Sequence, residues 1–271
     1  MDLQLAIIGG GSIGEALVAG VTRSKQYPPN KIIVSEPLKT RREHLLEQFS
    51  VNVTADNSLA VQRAEIVVMA VKPQFYFSSL SPMVESLTEE HLLISVAAGI
   101  GTGEIEGFLK KEIPIIRVMT NTPLLIGQGA TVLARGKYAV DKHLAKAKKL
   151  FLDLGLAIEL AENDLNAVTA LSGSGPAYLY LILEALIEAG VRIGLTRELS
   201  RQLMLQTMLG SAKMILETGK HPAELKESVT SPGGTTAAAL EHLEAKGIRG
   251  ALIQAVVKAY ERAEELSLMR E

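Results

Sequence analysis

The feature that most constrains this chain is a strand pattern running straight into a glycine turn and then a helix. Residues Leu3 to Ile8 are apolar apart from Gln4, Gly9-Gly10-Gly11-Ser12-Ile13-Gly14 follows at once, and a helix pattern occupies 15–24. Each glycine has its own physical task at this spacing. Gly9 permits the tight turn, Gly11 lets a pyrophosphate come close, and Gly14 lets the helix pack on the strand. A second strand, 31–35, begins at the distance a βαβ unit needs.

The N-terminal half therefore reads as a Rossmann-type dinucleotide-binding domain, with Gly9, Gly11, Ser12, Ile13 and Gly14 against the coenzyme. The end of the second strand, Ser35-Glu36-Pro37 with Lys39, Arg41 and Arg42 behind it, should face the adenosine ribose. Glu36 accepting from a free 2′-OH implies NAD(H). Ser35 and the basic residues around a 2′-phosphate imply NADP(H). A carboxylate beside a phosphate is repulsive, so the two readings compete. Arg41 and Arg42 also read simply as the solvated face of the next helix.

Further strands are predicted over 51–54, 66–71, 92–97, 115–119, 130–133 and 158–160, with a helix over 141–154. The run 65–71 is apolar enough to be buried on both faces, as a parallel sheet requires. It leads through Ala70-Val71 to Lys72-Pro73, which places Lys72 at the carboxyl edge, where such sheets bind ligands. Lys72 contacts coenzyme or substrate there, or is a plain surface lysine. Ala97-Ala98-Gly99 is small enough for a nicotinamide to pass close. In Met119-Thr120-Asn121-Thr122-Pro123, Asn121 either orients a bound amide or caps the next turn.

Strand signals stop after Asp164, and the domain boundary is placed at Glu162-Asn163, giving domains 1–162 and 163–271. Helices are predicted over 177–195, with Pro176 in the first turn, and over 197–218, 222–230, 235–246 and 248–269. Thr196 is the expected N-cap of the second and Gly219 its stop. The fold class is α/β: a dinucleotide domain followed by an all-helical one. Glu184, Glu188 and Arg192 stripe an otherwise apolar helix, which argues against a membrane span. A helix apolar nearly all round needs cover on most sides, and other subunits are expected to supply it.

Ser231-Pro232-Gly233-Gly234-Thr235-Thr236 lies between two helical patterns. Glycines let backbone N–H groups approach a ligand, and free N–H groups at a helix start bind anions. A small carboxylate fits, and so does an ordinary glycine turn. No Cys is present, the five His are scattered, and net charge is −2. These exclude a thiolate nucleophile and a disulfide framework, leave no basic field for nucleic acid, make a metal site unexpected, and fit a reducing cytoplasm. Met1-Asp2-Leu3-Gln4 enters the first strand directly, so no signal peptide is expected.

The chain resembles the pyrroline-5-carboxylate reductase family over nearly its whole length. The resemblance rests on the glycine turn, Ala70-Val71-Lys72-Pro73, Met119-Thr120-Asn121-Thr122-Pro123, Leu171-Ser172-Gly173-Ser174-Gly175-Pro176-Ala177-Tyr178 and above all Glu227-Ser228-Val229-Thr230-Ser231-Pro232-Gly233-Gly234-Thr235-Thr236. It implies reduction of a cyclic imine carboxylate, Δ1-pyrroline-5-carboxylate, to L-proline with NADPH, or alternatively NADH. It implies that Ser231, Gly233, Gly234, Thr235 and Thr236 bind the substrate, that Thr236 meets the ring nitrogen as the catalytic contact, and that Asn57 lies with Ser35 and Glu36 near the adenosine. It also implies a site shared with a dimer partner, and a homo-oligomer that is a dimer or a pentamer of dimers. Glu36 stands where some members have a small residue. Two rival readings are a β-hydroxyacid-dehydrogenase-like carbonyl reductase and a non-catalytic dinucleotide sensor. The former needs a helical Lys followed three residues later by Asn, whereas Lys213 is followed by Leu216.

Overall fold

The structure, a computed structural model, describes residues 2–268. Met1 and the predicted helix end at Met269 lie outside them. The chain separates into two compact units, one running to Ser174 and including the chain end from Ala259, the other Gly175–Lys258.

The first unit is built on an eight-stranded sheet. Its strands are β1 (Leu3–Ile8), β2 (Ile32–Ser35), β3 (Asn52–Thr54), β4 (Ala64–Met69), β5 (Leu92–Ser95), β6 (Ile115–Met119), β7 (Gly129–Arg135) and β8 (Gly155–Glu159). They lie in the order β3-β2-β1-β4-β5-β6-β7-β8. Parallel neighbours need a crossover of roughly a dozen residues or more. Helices α1 (Ser12–Arg23), α2 (Lys39–Phe49), α3 (Asn57–Arg63), α4 (Tyr76–Leu80), α5 (Thr102–Leu109) and α6 (Asp141–Leu152) occupy these connections. The link from β6 to β7 holds only a 3₁₀ turn, Thr122–Ile126, too short for a crossover, so β7 runs antiparallel to β6.

Side chains of one strand alternate between two cores, which is why β1 from Leu5 and β4 from Ile66 read as continuous apolar runs. Leu5, Ile7, Ile66 and Val68 enter one core with Leu17, Leu45 and Phe151. Ala6, Ile8, Val67 and Met69 enter the other with Val61, Tyr76 and Ile105.

Several predicted limits move. Helix α1 starts at Ser12 rather than Glu15, because Gly11 is its extended N-cap (φ −71°, ψ −168°). Strand β4 begins at Ala64 and ends at Met69, so Ala70 and Val71 lie past it; β5 ends at Ser95 rather than Ala97. The compact unit also continues past Glu162. The Glu162 carboxylate accepts from the backbone N–H (2.8 Å) and hydroxyl of Thr102 and from Arg117 (3.1 Å). Just beyond it, α7 (Leu165–Val168) buries Leu165 against Val132 and Ala134. A five-residue π-helix, Thr169–Gly173, follows. Polarity changes at Glu162, but packing changes at Ser174.

The second unit contains α8 (Gly175–Arg192), α9 (Arg197–Thr218), α10 (Pro222–Ser228), α11 (Thr235–Ala245) and the start of α12 (Ile248–Leu268). Thr196 caps α9, its hydroxyl accepting from the Leu199 N–H at 3.2 Å. Gly219 ends that helix at φ +65°. Of residues 175–258 only Ser200 is buried; Leu181, Ile193 and Leu216 are 67, 81 and 82 % exposed. The stretch 162–192 is long and apolar enough to cross a membrane by length and composition alone, with Glu184, Glu188 and Arg192 on it.

Candidate functional site

The glycine turn is shaped by crowding on two sides and openness on the third. Gly9 has φ +102°, and a Cβ there would lie 2.8 Å from the Ala70 carbonyl oxygen. A Cβ on Gly14 would lie 1.9 Å from the Gly9 carbonyl oxygen, whereas one on Gly11 would meet nothing within 4 Å. Strand and helix thus touch through Gly9 and Gly14, while Gly11 faces free space. Gly11 receives no side-chain cap, which leaves first-turn N–H groups of α1 for a ligand. A pyrophosphate fits this cradle: it would occupy the space that a Cβ at Gly11 would fill, in the favourable field of the helix N-terminus.

The adenosine edge is tied together by hydrogen bonds between distant residues. Glu36 is 8 % exposed. One carboxylate oxygen accepts from the Gly10 N–H (2.8 Å) and the other from the Leu38 N–H (3.0 Å). Both oxygens are engaged in bracing the turn. Ser35 is 1 % exposed and its hydroxyl donates to Asn57 Oδ1 at 2.6 Å, while the Asn57 amide donates to the Ser79 carbonyl at 3.1 Å. Arg41 and Arg42 are more than a solvated helix face. Arg41 donates to the Gly10 carbonyl (2.6 Å) and to Glu15, and Arg42 to the carbonyls of Glu36 and Pro37 (2.7 Å each). A hydrogen bond from His44, and then Arg41, hold the Glu15 carboxyl below its ordinary value against the opposing effect of burial. Lys39, 80 % exposed, pairs with Glu43 one turn on at 3.7 Å.

The other predicted coenzyme contacts share one edge of the sheet. Ala70-Val71-Lys72-Pro73 follows β4, Ala97-Ala98-Gly99 follows β5 and Asn121 follows β6; these three strands are neighbours and parallel. Lys72 and Ala98 are exposed, Ala97 is buried. The Asn121 side chain does not cap the 3₁₀ turn it precedes. Its amide donates to the Ser172 carbonyl (3.0 Å) and accepts from the Ala130 N–H (3.0 Å).

In the second unit, the loop 231–234 closes through a Gly234 N–H to Ser231 carbonyl bond of 3.0 Å. Gly233 stands at φ +66° with nothing within 4 Å of its Cβ position, and Gly234 is the N-cap of α11 without a side-chain cap. No acid lies in the first turn. An uncapped helix start without a first-turn acid is chemically suited to an anion, and Ser231, Thr235 and Thr236 add hydroxyls to the same short segment. Because the space at Gly233 is open, Gly233→Val acts through conformation rather than collision. Forcing a β-branched residue to positive φ costs on the order of 1–2 kcal/mol. The expected result is a roughly 10-fold rise in KM for the carboxylate substrate with coenzyme affinity unchanged, checked by steady-state kinetics and coenzyme titration.

Among the described residues no cluster of His, Cys, Asp and Glu could hold a metal ion. The bracing roles of Arg41 and Asn121 have no signature in sequence, since the carbonyls they donate to lie 31 and 51 residues away.

Comparison with known proteins gives a consistent family. Residues 162–266 match the family described as pyrroline-5-carboxylate reductase dimerisation, and residues 4–99 the one described as NADP oxidoreductase, coenzyme F420-dependent. The chain is 45 % identical to the pyrroline-5-carboxylate reductase of Synechocystis, covering 98 % of this chain and 99 % of that one. It is 37 % identical to the enzyme of Escherichia coli over the same shares. The solved pyrroline-5-carboxylate reductase of Coxiella burnetii superposes with TM-score 0.91 at 38 % identity, covering 98 and 99 % of the two chains. That of Plasmodium falciparum, with NADP bound, superposes with TM-score 0.89 at 33 % identity, covering 98 % of each. With such identity along nearly its whole length, the chain belongs to the pyrroline-5-carboxylate reductase family.

Proposed function

We propose that the protein reduces 1-pyrroline-5-carboxylate to L-proline, the last step of proline biosynthesis, in the cytoplasm and as a homodimer or a pentamer of dimers. The observation that carries the substrate reading is the α11 N-terminus: an uncapped helix start with a Gly-Gly turn and three hydroxyls, free of acidic groups. Residues 1–162 hold the coenzyme and 163–271 form the dimerisation and substrate region. The coenzyme is NADPH, with NADH as the alternative donor. The NADP-bound relative supports this order.

When bound, the nicotinamide supplies a hydride. The chain's residues supply placement. Gly9, Gly11, Ser12, Ile13 and Gly14 hold the pyrophosphate. The Ser35–Asn57 pair and the Glu36-braced turn shape the adenosine end. Ala70 to Pro73 and Ala97 to Gly99 line the path toward the nicotinamide. Ser231, Gly233, Gly234 and Thr235 clamp the substrate carboxylate, each charge-assisted bond contributing about 1.5–3 kcal/mol.

The protonated imine is already electrophilic, so no acid–base dyad is required. As its carbon gains the hydride, the C=N electron pair moves to nitrogen. Thr236 Oγ1 holds the nitrogen's existing proton, and water supplies the second, giving the proline ammonium.

The test is oxidation of NADPH and of NADH, run in parallel, on mixing with pyrroline-5-carboxylate. Substrate-dependent oxidation with proline as product is expected. Coenzyme binding without oxidation would sink the assignment.

A further inference from the structure

We infer that Asn121 is a positioning residue for hydride transfer: by tying the Ser172 carbonyl to the carboxyl edge of the sheet, it holds the π-helical turn Thr169–Gly173 in the one arrangement that aligns the nicotinamide. The inference rests on the proposed reductase activity.

A π-turn is locally costly and persists only where surrounding contacts hold it; such turns concentrate at functional sites. Here the turn is closed by a Ser174 N–H to Thr169 carbonyl bond of 2.8 Å. Its two hydroxyls are spent on carbonyls of the preceding α7, Thr169 on that of Leu165 and Ser172 on that of Val168. What fixes it from outside is β6. The Asn121 amide donates to the Ser172 carbonyl at 3.0 Å. Gly173 lies so close to Met119 that a Cβ would sit 2.4 Å from the Met119 methyl carbon.

Asn121 also accepts from the Ala130 N–H at the start of β7 (3.0 Å). One half-buried amide thus joins three chain segments: the end of β6, the start of β7 and the π-turn. Both of its polar atoms are committed to backbone, so it acts on the reaction through the turn it holds. The turn meets the sheet at the end of β6, next to β5, the strand followed by Ala97-Ala98-Gly99. A ring displaced there by a fraction of an ångström keeps its binding contacts but loses its line of attack.

The test compares three variants. Asn121→Asp keeps the acceptor for Ala130 but loses the donor to Ser172 and sets a carboxylate against a carbonyl. Gly173→Ala disturbs the same turn at its contact with the Met119 methyl carbon. Asn52→Asp is the control: Asn52 also donates to backbone carbonyls, of Asn30 and Ile32, where β3 begins beside β2, at the opposite edge. Readouts are kcat, coenzyme Kd, Tm and the isotope effect on kcat with coenzyme deuterated at the transferred position.

Asn121→Asp and Gly173→Ala should lower kcat at least about 10-fold and raise the isotope effect as hydride transfer becomes limiting. Coenzyme Kd should stay within about 2-fold, a difference under roughly 0.5 kcal/mol. Asn52→Asp should lower Tm without changing the isotope effect. An active wild type beside equally active Asn121→Asp and Gly173→Ala overturns the positioning role alone, as does a kcat loss that follows Tm equally in all three. Inactive wild type overturns the reductase reading itself.

Discussion

Gly14→Ala is expected to weaken coenzyme binding by roughly 100-fold, the upper end of an overpacking cost of about 1–3 kcal/mol. A Cβ at that position would stand 1.9 Å from the Gly9 carbonyl oxygen, and a backbone oxygen has no rotamer by which to retreat. Gly9 is itself fixed: its N–H donates to the Ser35 carbonyl at 2.8 Å, and its own Cβ position is 2.8 Å from the Ala70 carbonyl oxygen. The α1 N-terminus must therefore lift from β1, taking its N–H groups off the pyrophosphate. Tm should fall as well. Gly11→Ala provides the contrast, because its Cβ meets no protein atom within 4 Å; Tm should hold while affinity falls through direct obstruction. Titration of reduced coenzyme by fluorescence, with Tm recorded alongside, separates the two. Wild-type affinity in Gly14→Ala would show that the cradle does not carry the coenzyme.

Thr236→Ala should reduce kcat by about 10- to 100-fold, the loss of one hydrogen bond to a charged reacting group, and leave coenzyme Kd unchanged. Thr236 is half-buried in the first turn of α11, so its removal leaves the loop and the carboxylate clamp standing. The effect should fall on kcat more than on KM, because the contact strengthens as charge moves on nitrogen. Thr236→Ser should retain most turnover. Full activity in Thr236→Ala would remove it from the mechanism.

What could be read from the sequence followed locality. Strand, glycine turn and helix are contiguous, and the turn behaves as its spacing implied. The α9 caps at Thr196 and Gly219 are equally local. Features made by distant pairs were illegible. The pairing of Ser35 with Asn57 joins residues 22 apart and has no mark in the sequence. Glu36 and Arg41 looked like opposed votes on the ribose, yet each is engaged by Gly10, on its N–H and its carbonyl respectively. The reversal of β7 depends on a connection too short to cross over. The π-turn has no periodicity to detect, because Asn121, remote in sequence, helps to hold it.

The near absence of buried residues between Gly175 and Lys258 makes the persistence of this region a question of how many chains are nearby. A helical segment that hides its apolar side chains only against copies of itself gains stability with protein concentration. Refolding should therefore include a second-order phase, slower on dilution.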